Sequence, residues 1–171
     1  VAGWPTPGVQ WVIIVFMFLA GSNFVLHYRA LLGKPLNHFK DEEFRFYLAV
    51  TVAAVLTIAL TLMGGSITTT AGVELENVGL FTSLRYAAFQ VVSIITTTGF
   101  ATADFDRWPA YAALLLIILM FVGGCAGSTG GGIKNSRILL ALKYGVVQIE
   151  RCLFRRSITN VQLNRHRVDE A

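Results

Sequence analysis

Charge is what this chain has least of. Only 14% of its 171 residues are Asp, Glu, Lys or Arg, against about 25% in an ordinary soluble domain. The shortage excludes a disordered tail and, despite a formal net charge of +4, an ordinary nucleic-acid-binding module. Cysteine is scarce as well. Cys125 and Cys152 stand 27 residues apart with no CxxC, so neither a disulfide framework nor a zinc site is indicated. The three histidines, His27, His38 and His166, all fall in polar stretches. The apolar segments hold no carboxylate pair, so an intramembrane hydrolase would lack its nucleophile and base. No basic n-region and small-residue cleavage site mark the first apolar run, which therefore does not read as a signal peptide. The chain reads as the interior of a longer protein.

What is present is apolar and gathered into blocks. Residues 46–73 carry no charge, and neither do residues 108–133. Such runs exceed the roughly 20 residues needed to cross a bilayer core, which predicts an all-α integral membrane protein. Residues 1–26 read as a transmembrane helix interrupted at Gly21-Ser22-Asn23, followed by a polar loop over 27–45. Residues 46–63 read as an uninterrupted span, and 64–79 as a loop. Residues 80–100 hold a third apolar stretch ending in Thr96-Thr97-Thr98-Gly99-Phe100, and 101–109 form another loop. Residues 110–147 read as a further span with a break at 123–132, and 148–171 as a basic tail.

Lysine and arginine set the orientation. Four lie in 27–45 and eight from Lys134 onward, including Arg151, Arg155 and Arg156. Between the second and fourth segments stand only Arg85 and Arg107, against Glu74, Glu76, Asp104 and Asp106. The 27–45 loop and the C-terminal tail are therefore predicted to be cytoplasmic, and 64–109 to face outside. Parity then requires 80–100 to enter and leave on the same side, as a re-entrant loop. Sixteen residues from Leu80 to Ile95 would span roughly 24 Å, too short to cross with ease. Leu80, Leu84, Ala87, Ala88, Val91 and Ile95 recur at helical spacing, while Thr82, Ser83, Arg85, Gln90 and Ser93 supply polar positions. The alternative is a short amphipathic helix on the outer surface. A helix that dips in and breaks lines a pore, since irregular backbone at membrane depth must be buried in protein or face water.

Thr97-Thr98-Gly99-Phe100 has the order of a degenerate potassium filter: threonine, β-branched residue, glycine, aromatic. Such filters replace the ion's hydration shell with backbone carbonyls from four loops. Gly99 supplies φ values closed to other residues. Thr97 and Thr98, stiff at χ1, are expected to pack behind an extended strand, and Phe100 to wedge the loop against neighbouring helices. The helix ends here, so its negative dipole end favours a cation. Potassium coordination is assigned to Thr97 and Thr98. One loop supplies a quarter of a four-fold ring, so this chain forms only part of a pore.

Six of the sixteen glycines fall in the ten residues Gly123-Gly124-Cys125-Ala126-Gly127-Ser128-Thr129-Gly130-Gly131-Gly132. A phosphate loop is excluded, because Ile133 stands where the lysine must follow and the flank is a helix; no nucleotide site is expected on this chain. Gly123, Gly127 and Gly131 form overlapping GxxxG pairs, which allows close helix association as one reading. Each glycine costs a helix about 1 kcal/mol relative to Ala, and three in succession favour a broken helix with an irregular loop. Ser128 and Thr129 are placed to satisfy exposed backbone groups or touch passing ions. Lys134 lies where it repels idle cations or snorkels as an anchor.

TTTGF, then residues 101–122, then GGCAGSTGGGIKNSRILLALK resembles the Trk/Ktr superfamily of potassium-uptake proteins, specifically its TrkH-type membrane subunit. The resemblance covers essentially the whole chain. It implies four membrane–pore–membrane repeats around one central pore, with residues 1–26 ending the second repeat and Phe46 to about Val147 forming the third. It implies a filter at Thr97, Thr98, Gly99 and Phe100, and a gating loop of Gly123, Gly124, Gly127, Ser128, Thr129, Gly130, Gly131 and Gly132 beneath it. It further implies potassium as the transported ion, a homodimer in the bacterial cytoplasmic (inner) membrane, and a peripheral, TrkA-like nucleotide-binding regulatory subunit on the cytoplasmic side. The remaining repeats of the same transporter are partners by necessity. Membrane lipid is a partner of the apolar segments, and no nucleic acid is expected. The competing reading is a non-conducting scaffold or sensor module built on glycine-mediated helix association.

Overall fold

The structure, a computed structural model, describes residues 6–33, 37–153, 162–163 and 166–167. Residues 1–5, Lys34 and most of the basic tail beyond Leu153, with Arg155 and Arg156, lie outside the described residues. Among the described residues seven α-helices follow in order: α1 (Pro7–Ala20), α2 (Phe24–Leu31), α3 (Asn37–Lys40), α4 (Glu42–Leu62), α5 (Leu80–Ile95), α6 (Ala110–Phe121) and α7 (Asn135–Leu153). Two short hairpins accompany them, β1 (Ile67–Thr68) with β2 (Glu74–Leu75), and β3 (Gln162–Leu163) with β4 (His166–Arg167).

Local chemistry sets the helix ends. Pro7 occupies the first turn of α1, where its missing N–H is no loss. Asn23 stops the chain after Gly21 and starts α2 by accepting from the Val25 amide at 2.9 Å, so α1 and α2 meet at 103°. Asp41 caps α4 by accepting from the Phe44 amide at 2.9 Å. Glu42 and Glu43 follow in its first turn, where the helix dipole favours negative charge. The 21 residues of α4 reach about 32 Å. Among the described residues it is the one helix long and apolar enough to cross a membrane unaided; α1 and α2 pass that test only as a bent pair.

Helix α5 is the centre of the fold. Tyr86 through Ser93 are all buried, so the helix is enclosed on every side, as a core helix must be. Ala87, Val91 and Ile95 join Tyr47 and Ile58 of α4 and Ala112 and Leu116 of α6 in one cluster. Ala88, Phe89 and Val92 join Ile14 and Met17 of α1 in another. Its polar residues work inside this enclosure. Arg85 donates to Gln10 Oε1 at 2.6 Å, and Gln90 donates to the Ala103 carbonyl at 3.1 Å. The outward faces are apolar instead: Val12 and Phe16 on α1, Leu56 and Leu60 on α4, Leu114 and Phe121 on α6 are all exposed.

The segments on either side of α5 meet each other. Thr69 bridges Ala103, the Asp104 amide donates to the Thr68 carbonyl at 2.9 Å, and the Thr70 amide to the Thr102 carbonyl at 3.1 Å. Arg107 completes the junction, 3.4 Å from both Glu74 and Asp104. The segments before and after α5 are thus joined by backbone and side-chain bonds.

Candidate functional site

The end of α5 builds the first half of the site. The Thr97 amide donates to the Ile94 carbonyl at 3.0 Å and the Thr98 amide to the Ser93 carbonyl at 2.9 Å. This pair of bonds is a Schellman closure, which needs a left-handed residue just past the helix. Thr97 fills that position with φ +54, a place ordinarily held by glycine and strained for a β-branched side chain. The extended strand expected at Thr97 is therefore replaced by a tight helix end. Gly99 follows with φ +76, in the glycine region as its sequence position suggests.

Side chains then fasten the turn from behind. Thr96 Oγ1 donates to the Val92 carbonyl at 2.7 Å and lies 2.8 Å from Thr98 Oγ1. Ser93 Oγ donates to the Phe100 carbonyl at 2.6 Å. Among the described residues no donor reaches the carbonyl oxygens of Thr97, Thr98 or Gly99. These acceptors stand at the negative end of the α5 dipole, with Thr97, Gly99 and Phe100 on the exposed surface. Phe100 is 48% exposed, so about half of its surface is left for neighbours outside the described residues.

The second half is the glycine-rich segment. Helix α6 stops at Phe121 and α7 starts at Asn135, and the residues between form a loop closed at its neck. Val122 bridges Ile133, the Gly123 amide donates to the Ile133 carbonyl at 2.9 Å, and the Ile133 amide to the Phe121 carbonyl at 3.1 Å. Asn135, fully buried, adds two bonds: its amide to the Gly124 carbonyl at 3.1 Å and its Nδ2 to the Gly123 carbonyl at 2.8 Å. The backbones approach so closely that a β-carbon at Gly123 would lie 1.9 Å from the Gly131 oxygen. No larger residue fits there.

This loop threads into the break between α1 and α2. The Cys125 amide donates to the Gly21 carbonyl at 2.9 Å, the Thr129 amide to the Ala20 carbonyl at 3.3 Å, and the Phe24 amide to the Gly127 carbonyl at 3.2 Å. The orphan carbonyls at the end of α1 and an orphan amide at the start of α2 are satisfied together. Ser128 Oγ donates to the Cys125 carbonyl at 2.6 Å and Thr129 Oγ1 to the Ala20 carbonyl at 3.1 Å, so both hydroxyls serve backbone groups. Lys134 Nζ donates to the Gly130 carbonyl, an internal tie across the end of the loop. Finally the Gly131 amide donates to Thr97 Oγ1 at 2.8 Å. The two sequence motifs are thereby in direct contact.

Two residues that sequence reasoning passed over also belong here. Glu43 Oε1 accepts from the Ala126 amide at 2.6 Å and the Ser136 amide at 3.0 Å. Tyr47, fully buried, donates to the Phe18 carbonyl at 3.1 Å, bracing the end of α1 where the loop enters. Glu43 stands in an Asp-Glu-Glu run before an apolar stretch, which reads as ordinary helix capping; only the tertiary fold brings it to the loop.

Open carbonyls at a helix end thus lie against a glycine loop threaded through a second broken helix, in a helical fold whose outward faces are apolar. The family model for TrkH, described as a cation transport protein, matches residues 4–171, and the chain belongs to this family. It is a family of cation transport proteins, not of enzymes. The chain is 36% identical over 166 residues to the Trk system potassium uptake protein TrkH of Salmonella typhimurium, covering 96% of this chain and 32% of that protein. The TrkH of Escherichia coli strain K12 is 34% identical over the same coverage. The fold is similar to the crystal structure of the potassium transporter TrkH from Vibrio parahaemolyticus, with a TM-score of 0.81, 32% identity, and coverage of 95% of this chain and 33% of that one. The chain spans about a third of the length of these relatives.

Proposed function

We propose that this chain is one membrane–pore–membrane repeat, with the end of the preceding one, of a gated potassium-uptake transporter. Residues Thr97, Thr98, Gly99 and Phe100 are its share of the selectivity filter. The observation that carries this reading is the row of undonated carbonyls on Thr97, Thr98 and Gly99 at the C-terminal end of a buried helix. Three more such segments from the remaining repeats complete a ring able to replace the hydration shell of K⁺. In this reading α4 spans the membrane, α5 enters and returns on the outer side, and α6 with α7 forms the broken span. The contact between the segments flanking α5 supports that return, and the exposed apolar side chains on α1, α4 and α6 suit lipid or neighbouring repeats.

The loop from Gly123 to Gly132 lies against the filter and restricts flow when closed. Its position after a short span and before the basic α7 supports a regulator acting from the cytoplasmic side. The full transporter is a homodimer in the bacterial cytoplasmic membrane, controlled by a TrkA-like nucleotide-binding subunit. Potassium and rubidium uptake by the full-length parent, expressed in cells without their own uptake system, tests the reading. Uptake that depends on Gly99 supports it; a correctly inserted protein that moves neither ion overturns it.

A further inference from the structure

Glu43 is a carboxylate with only 6% of its surface exposed, placed on α4 but spent on other elements. A single oxygen, Oε1, accepts from Ala126 N at 2.6 Å and from Ser136 N at 3.0 Å. The first donor lies inside the glycine-rich loop and the second in the first turn of α7, so the carboxylate straddles the neck. Both amides need an outside partner. Ser136 N is one of the orphan donors of a helix start, and Ala126 N sits in irregular backbone with no ladder to join. An ionised acceptor makes such bonds roughly twice as strong as a neutral one.

The anchor itself is held firmly. Asp41 caps the same turn of α4, and the neighbouring Glu42 meets Lys143 of α7 at 2.5 Å. One turn of α4 therefore grips both the loop and the helix that follows it. We infer that Glu43 is the positioning residue that pins the 123–132 segment in its threaded position, so that the loop moves only when these two bonds break. This rests on the loop acting as a gate, but the pinning and the gating give separate signals.

The test uses the full-length transporter reconstituted in vesicles, with native Cys125 as reporter. Its side chain is fully buried beside Ala126, and labelling by N-ethylmaleimide is read by mass spectrometry of its peptide. In Glu43→Ala, Cys125 should label several-fold faster than in the wild type. In Glu43→Gln, which keeps the shape and an acceptor oxygen but loses the charge, labelling should rise by less. A second cysteine, placed by Ala112→Cys in the buried core of α6, should stay protected in both backgrounds. Resting rubidium flux should rise in the same order while discrimination against sodium is kept, a gain that misfolding does not produce. Wild-type Cys125 protection in Glu43→Gln, with Glu43→Ala either equally protected or absent from the membrane, overturns the pinning role. Equal exposure of Cys125 and the Ala112→Cys reporter also overturns it, since Glu43 would then be a general stability residue. Exposure of Cys125 alone with unchanged flux keeps the pinning and removes the gate.

Discussion

The hydroxyl of Thr97 accepts a hydrogen bond from the amide of Gly131 at 2.8 Å, across 34 residues of sequence. The residue strained to close α5 is also the residue that the glycine loop touches. Filter and loop positions are consequently coupled through one side chain, and a displacement of either is felt by the other. The coupling is a single neutral bond near exposed backbone, worth about 0.5–1.5 kcal/mol, so it biases the loop without locking it.

Thr97→Val tests that coupling. It keeps the β-branch and removes the acceptor, leaving the Gly131 amide to water. The loop equilibrium should shift by up to about tenfold, read as higher resting rubidium flux in vesicles. Thr97→Ser, which retains the hydroxyl, should stay near the wild type. Equal flux in all three proteins would mean that the contact transmits nothing.

Gly99→Ser addresses selectivity. Gly99 sits at φ +76 with nothing near its missing β-carbon, so space is available and only the backbone objects. A side chain in the left-handed region costs about 1–2 kcal/mol, enough to distort one quarter of a carbonyl ring. Discrimination of K⁺ over Na⁺ in the full-length protein should relax. The exposed substitution Val52→Ile on α4 should leave it unchanged. Selectivity kept by a well-expressed Gly99→Ser protein would take this segment out of the ion path.

Arg107 joins Glu74 and Asp104 from the two sides of α5, which gives the topology a direct check. Cysteines introduced at Glu74 and Asp104, both well exposed, should react together with an impermeant thiol reagent applied from outside. Labelling of one without the other would mean that α5 spans the membrane.

The apolar runs, the Gly21–Asn23 interruption and the two glycine-bearing motifs were legible because each is written in consecutive residues. The helix over Leu80–Ile95 follows directly from its periodicity, and its ends match the observed ones. The conformation of Thr97 was not legible. Threonine strongly suggests extended backbone, and only the Schellman bonds to Ser93 and Ile94, together with the Gly131 contact, hold it left-handed. Glu43 was hidden for a different reason. Its partners lie 83 and 93 residues away, and its local sequence already has a sufficient role in capping α4. The tie of Lys134 to Gly130 is hidden for the same reason, since the charge already has a sufficient local role at the end of an apolar run.

The glycines of the loop are unequal, and their inequality gives the last prediction. Gly131 has room: an added β-carbon would meet Thr97 only at 3.6 Å, an ordinary contact. Gly123 has none, since a β-carbon there would sit 1.9 Å from the Gly131 oxygen and 3.0 Å from its carbonyl carbon. Backbone cannot retreat as a flexible side chain does, and the overlap falls on the neck that the Val122–Ile133 bridge closes. Gly131→Ala should therefore leave resting flux close to wild type. Gly123→Ala should force the neck apart, raising resting flux several-fold and exposing Cys125 to thiol reagents. Deleting Ala126 to Gly131 removes the obstruction itself, along with the Gly131 bond to Thr97, and should raise flux further. Flux measured in vesicles at matched protein density decides the matter. If the deletion folds, reaches the membrane and conducts no more than Gly131→Ala, the segment serves helix association and does not gate the pore.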